Sequence, residues 1–165
     1  MAPGRIWRHL LMNSILVRRS FPAHALEAIR AATERAEQTH RGEIRFVVEA
    51  ELTWQQLLGG VTPRQRALEV FSLLRVWDTE ENNGVMIYVM LADRRVEIVA
   101  DRGIHAHVGA DGWRDVCALI ETEFRAGRFE AGAVKGIEAI AAALVERFPS
   151  DGKKANELPD APVVM

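Results

Sequence analysis

WDTEENNGVMIYVMLADRRVEIVADRG, residues 77–103, decides the fold. Val85–Leu91 is a short apolar run of β-branched and large side chains, too short for a globular helix. Val96, Ile98 and Ala100 alternate with Glu97 and Val99, the two-residue period of a half-buried strand. Between the two runs, Ala92-Asp93-Arg94-Arg95 is polar and leaves no room for a crossover, so the strands are antiparallel neighbours. The acidic lead-in (Asp78, Glu80, Glu81, Asn82, Asn83) and the trailing Asp101-Arg102-Gly103 therefore fall at one end of the hairpin.

Working outward, Glu43–Glu49 reads as an earlier strand and Thr62-Pro63-Arg64-Gln65 as a capping box with proline in the first helical turn. Strand, helix, strand predicts a parallel pair, so the sheet is mixed and Val85–Leu91 is its centre. A helix from Ser20-Phe21-Pro22 precedes the first strand, with Leu26, Ile29, Ala32 and Ala36 inward and Glu37 outward. The helix at Pro63 is read with Ala67, Leu68, Phe71 and Leu74 on its buried face. After the hairpin, Ile104–Gly109 reads as a loop and Asp111 as the cap of a helix to Ala126. A last helix spans Phe129 to Phe148, where Gly132 and Gly136 permit close approach to a neighbour. The division is an arm over 1–19, an α/β domain over 20–149 and a tail over 150–165 without periodicity, expected to be disordered.

A net charge of -2 on 165 residues gives no case for nucleic-acid binding. One cysteine, Cys117, excludes an internal disulfide and fits a reducing compartment; it shares a helical face with Trp113, Ile120 and Phe124 and reads as a buried hydrophobe. Residues 6–17 are apolar but broken by Arg8, His9, Asn13 and Ser14, and Arg18-Arg19 follows instead of a small-residue cleavage site. The expectation is a retained segment and a cytoplasmic protein, peripheral at the inner membrane if the arm engages lipid. Residues 1–20 hold Arg5, Arg8, Arg18 and Arg19 and no acid, around an apolar stripe of Ile6, Trp7, Leu10, Leu11 and Ile15. Either this is a docking helix or frayed arm covering the domain, or it is a basic amphipathic segment in weak interfacial contact with an anionic membrane.

Parallel pairing brings Glu43, with His40 and Arg41, to the rim that holds Asp78, Glu80, Glu81, Asn83 and Asp101, with Asp111 arriving by the capped helix. These are hard oxygen ligands suited to Ca²⁺ or Mg²⁺, and Ca²⁺ tolerates irregular loops better. Asp101 and Asp78 are the leading candidates. Two alternatives stand beside them. His105-x-His107 on an extended segment would face one side as transition-metal ligands. Glu49, Glu51 and Asp93 gather at the opposite rim, where open α/β sheets often bind ligands.

The stretches AEQTHRGEIRFVVE, NNGVMIYVMLADRRVEIVADRGIHAHVG and FRAGRFEAGAVKGIEAIAAALVERFP, in this order, resemble the TPM domain family. That family takes its name from a thylakoid lumen protein, a photosystem II repair protein and a nematode receptor modulator. The resemblance covers residues 16–149 and is most specific at Asn-Asn-Gly and Asp-x-Gly-Ile. It implies a three-layer α/β/α sandwich around a small mixed sheet. Asp101 and Trp113 stand where many members have a glycine-rich GYG-type segment, which is similar to the soluble, stand-alone bacterial branch. Members have been linked to divalent-cation binding, to upkeep of membrane protein complexes and, in the thylakoid relative, to acid phosphatase activity. The resemblance thus implies a cation-binding accessory domain contacting a membrane or membrane-protein complex; the alternative is a metal-dependent acid phosphatase on phosphomonoesters.

Overall fold

The computed structural model describes residues 3–12, 14–152 and 156–165. Its elements are α1 (Pro3–Leu11), α2 (Ser14–Ser20), α3 (Ala23–Glu37), β1 (Glu43–Glu49), α4 (Trp54–Leu58), α5 (Pro63–Leu73), β2 (Gly84–Met90), β3 (Arg95–Ala100), α6 (Arg102–Arg125), α7 (Phe129–Arg147) and β4 (Val163–Val164). The sheet order is β3-β2-β1-β4. β1 and β2 are parallel, with Glu43 opposite Gly84 and Glu49 opposite Met90. β3 runs antiparallel to β2, with Ala100 opposite Val85. β2 lies between the other two predicted strands, as the hairpin and crossover require.

The pleat sends Ile44, Phe46 and Val48 with Val85, Ile87 and Val89 to one face, under α3, α6 and α7. Val47, Met86, Tyr88, Met90 and Val99 point to the other face, under α5 through Ala67, Val70 and Phe71. Three layers result. β2 is buried along its whole length and reads as a continuous apolar run; β1 is buried too, yet alternates, because Glu43, Arg45 and Glu49 each find polar partners inside. The glycines of α7 do what their spacing suggests: a Cβ on Gly136 would sit 2.5 Å from Ile120 Cδ1, so α6 and α7 are in close contact there.

Several local expectations are corrected. Residues 102–109 are the first part of α6, capped by Asp101, rather than a loop. Gly109, at φ 72° and ψ 172°, breaks the helix in the middle, which explains why Asp111 resembles a cap in sequence. Glu37 is buried rather than outward, because its Oε1 accepts the Ile44 backbone N–H at 2.8 Å. Leu68 is exposed, and Thr53 with Gln56 forms an unforeseen second capping box at α4.

The tail is corrected most. Val163–Val164 pairs parallel to β1, and Met165 N–H donates to Val48 O at 2.9 Å. Arg45 holds the approach by donating to the Pro159 and Ala161 carbonyls. A two-residue strand is too short to show a period, and the groups that seat it lie more than a hundred residues upstream.

The arm is anchored by its polar side. Arg5 Nε and Nη2 donate to Asp93 Oδ1 and Oδ2 at 2.8 and 2.7 Å, and His9 Nε2 lies 3.3 Å from Oδ1. Burial by itself would raise the Asp93 carboxyl, but Arg5 and His9 outweigh it and hold it below its ordinary value. A carboxyl lowered in the folded state stabilises fully above its unfolded pKa, and that contribution is lost as pH falls through the folded value. Asp93→Asn is therefore expected to loosen α1 at neutral pH as acid does in the wild type. Tryptic cleavage within residues 5–19 should accelerate roughly tenfold while the core helix signal persists. Unchanged cleavage would show that the arm is held by other contacts.

Candidate metal centre at the hairpin base

The amino ends of β1 and β2 and the carboxyl end of β3 meet at one rim. Glu43, Gly84 and Asp101 are in register across it, and Asp101 N–H donates to Gly84 O at 2.8 Å. Gly84 can only be glycine. A Cβ there would lie 2.0 Å from the Val76 carbonyl oxygen, because the connection from α5 crosses directly over it.

The loop before β2 is tightly organised. Asn82 takes a left-handed conformation at φ 55°, which asparagine tolerates better than most residues. Asn83 N–H donates to Thr79 Oγ1 at 3.1 Å, and its Nδ2 donates to Arg41 O at 3.1 Å. Gly103 N–H donates to Asn82 O at 3.0 Å. A Cβ on Gly103 would meet Asn82 O at 2.5 Å and Glu81 O at 3.1 Å, so the first turn of α6 packs on these carbonyls.

Among the described residues, two oxygens at this rim are buried without a hydrogen-bond partner: Asn83 Oδ1 and Asp101 Oδ2. Asp101 Oδ1, by contrast, accepts the Arg102 N–H at 2.7 Å. Leaving a buried acceptor unsatisfied costs about 1–3 kcal/mol, more when it is charged. The rim therefore offers one carboxylate oxygen and one amide oxygen, both desolvated, beside a loop of backbone carbonyls. Oxygens of these types are what a hard cation takes, and Arg41, with its own buried Nε, stands at the same rim.

The other expected ligands are dispersed. Glu43 is buried at the rim, but its carboxylate accepts the backbone N–H groups of Glu157 and Leu158 at 3.2 and 3.3 Å. Glu81 pairs with Arg41 at 2.7 Å. Glu80 is exposed and its N–H donates to Glu157 Oε2. Asp78 is exposed, and Asp111 is exposed on α6 and ion-paired with Arg114, more than two turns from Asp101. Among the described residues, no three His, Cys, Asp or Glu side chains come together as a metal cluster. The tail's capture of Glu43 had no signal in sequence, being set by chain reversal over a hundred residues.

The alternatives are placed too. His105 and His107 lie on a helix, where positions two apart diverge; His105 Nδ1 accepts from Trp113 Nε1 and His107 faces Glu146. At the opposite rim, Glu49 receives Arg66 Nε and Nη2 and the Tyr88 hydroxyl, and Asp93 receives Arg5. Those carboxylates are already matched by cations of the chain. Burial pushes the Cys117 thiol up to about 11, in keeping with a packed side chain rather than a nucleophile.

The sequence profile of the TPM domain matches residues 21–143. Among solved structures, the chain is similar to the BA42 protein of the psychrophilic bacterium Bizionia argentinensis. The two are 32% identical with a TM-score of 0.77, covering 88% of this chain and 95% of that one. The N-terminal domain of a protein from P. gingivalis is 18% identical with a TM-score of 0.61, covering 79% and 82%; it shares the fold. The comparison with curated proteins gives no match. The arrangement of sheet and helices, the profile match and the likeness to BA42 agree, and the chain belongs to the TPM domain family.

Proposed function

We propose that this chain is a divalent-cation-binding TPM domain, Ca²⁺ before Mg²⁺, serving as an accessory domain at a membrane or membrane-protein complex. The observation that supports the cation reading is the pair of buried oxygens without a hydrogen-bond partner among the described residues, Asp101 Oδ2 just after β3 and Asn83 Oδ1 just before β2. Ca²⁺ fits better than Mg²⁺ because the donors sit on an irregular loop, and Mg²⁺ demands near-ideal octahedral geometry. Asp101 and Asn83 would hold the ion, with Asn82 and Glu81 carbonyls beside them. Glu43 joins only if the tail yields its carboxylate.

Phosphomonoester hydrolysis would need a base besides the ligands. His40 Nδ1 faces Gly42 O at 3.1 Å and His105 Nδ1 accepts from Trp113 Nε1, and neither contact assigns that base.

At 100 dissociation constants of calcium the fold should gain about 2.7 kcal/mol, which at roughly 2–4 °C per kcal/mol raises the melting temperature by about 5–11 °C. Asp101→Asn should remove most of that shift and exposed Asp111→Asn none of it. A shift that survives in Asp101→Asn would overturn the assignment. A phosphomonoester assay on the same proteins decides class: cation-dependent turnover lost in Asp101→Asn would establish the phosphatase, and a shift without turnover the binding domain.

A further inference from the structure

The arm is docked the opposite way round from an ordinary amphipathic helix. Helical spacing gives α1 two stripes, one of Arg5, Arg8 and His9 and one of Trp7, Leu10 and Leu11. The polar stripe faces the domain. Besides the Asp93 pair, Arg5 donates to Val61 O at 2.8 Å, Arg8 Nε to Ala92 O at 3.0 Å, and buried His9 accepts Leu52 N–H at 3.0 Å. The apolar stripe faces out: Trp7 is 64% and Leu11 69% exposed, and α2 continues the ridge with Ile15 at 65%. A surface helix normally buries that stripe.

The charge that the arm itself carries is of one sign. Residues 1–20 contain no acid. Arg18 and Arg19 are exposed on α2 and make no ion pair among the described residues, and Arg94 is exposed in the adjoining turn. Under α2 lies a cavity of about 560 Å³ lined by Met12, Leu16, Phe124 and Phe129; on its polar side Glu121 pairs with Arg125, and Arg94 stands beside them. Apolar surface framed by arginine is the complement of anionic lipid, which offers hydrocarbon below and phosphate above.

We infer that the α1–α2 ridge is the face by which this protein enters the interfacial layer of an anionic phospholipid bilayer. The inference rests on the membrane-contact half of the proposed function and is independent of the cation. A second copy is the poorer occupant. An isologous contact would bring Arg18, Arg19 and Arg94 of both copies together with no acid in the arm to oppose them.

The test is sedimentation, in EDTA, with vesicles of phosphatidylcholine alone and of phosphatidylcholine mixed with phosphatidylglycerol. The wild type is expected to bind the mixed vesicles, more weakly as salt rises. Leu10→Ser/Leu11→Ser should lower affinity about tenfold or more. Arg18→Ser/Arg19→Ser should weaken binding and flatten its salt dependence. All four side chains are exposed, and an unchanged thermal melt will show that the variants fold. Equal binding by the leucine variant overturns the inference, as does absence of wild-type binding. A dimer that dissociates in the leucine variant, with no vesicle binding, would assign the ridge to a second copy instead. Loss of vesicle binding with the calcium shift intact overturns this inference alone; a missing calcium shift with vesicle binding intact overturns only the cation reading.

Discussion

Gly84→Ala is expected to be the most damaging single methyl in the protein. The added carbon would stand 2.0 Å from the Val76 oxygen, and Val76 is itself fully buried. No flexible side chain can swing aside, because the obstruction is backbone. Overpacking of a core typically costs about 1–3 kcal/mol and occasionally more, and a rigid obstacle places this site at about 3 kcal/mol or above. Thermal melts should show a fall of roughly 6–12 °C. Because the displaced connection leads into Thr79–Asn83, calcium affinity should fall together with stability. Gly136→Ala is the instructive comparison. Its nearest obstacle is the Ile120 side chain at 2.5 Å, which has rotamers to use, so the loss should be smaller. Equal stability of Gly84→Ala and wild type would contradict the placement of Val76 over β2.

The second large effect is expected at Glu49. Its carboxylate is buried between Arg66, at 2.9–3.1 Å, and the Tyr88 hydroxyl. The carboxylate raises the Arg66 pKa, chiefly through this hydrogen bond, while burial first and then Glu49 raise that of Tyr88. Glu49→Gln leaves a largely buried guanidinium facing a neutral amide. Breaking such a pair from one side costs about 3–5 kcal/mol, and the retained acceptor puts the loss near about 3 kcal/mol. Removing both charges removes the mismatch. Glu49→Gln/Arg66→Met, which keeps an acceptor for the Tyr88 hydroxyl, should therefore be less destabilised than Glu49→Gln, as denaturant midpoints would report. A double variant as unstable as the sum of its singles would mean the two charges act independently. Glu49 is accordingly a poor neutral control for cation binding, which is why exposed Asp111 serves instead.

Local chemistry made much of the fold legible. The apolar run of β2, the alternation of β3 and the Thr62–Gln65 box each carry their own period or cap, and each lies where that signal points. Topology then brings Glu43, Asn83 and Asp101 to one rim from three separated segments, and the strand pairing bears this out. What stayed hidden depends on distant partners. Val163–Val164 becomes a strand because β1 has a free edge and Arg45 holds the segment before it. Asp101-Arg102-Gly103 has the composition of a turn, yet Asp101 caps a long helix because β3 ends directly against its first residue. The arm shows the limit of pattern reading most clearly. Its stripe was evident, but which stripe faces inward was decided by Asp93 and Ala92 at the far end of β2, with no mark in residues 1–19.

The proposed cation belongs at the hairpin base and not at the opposite rim. Residue-resolved amide shifts during a calcium titration test it most directly. Saturable movement of Asn82, Asn83, Arg102 and Gly103, lost in Asp101→Asn, is the expected result, with Glu51, Asp93 and Arg94 unmoved. Shifts that instead gather at Glu51, Asp93 and Arg94 and persist in Asp101→Asn would contradict it.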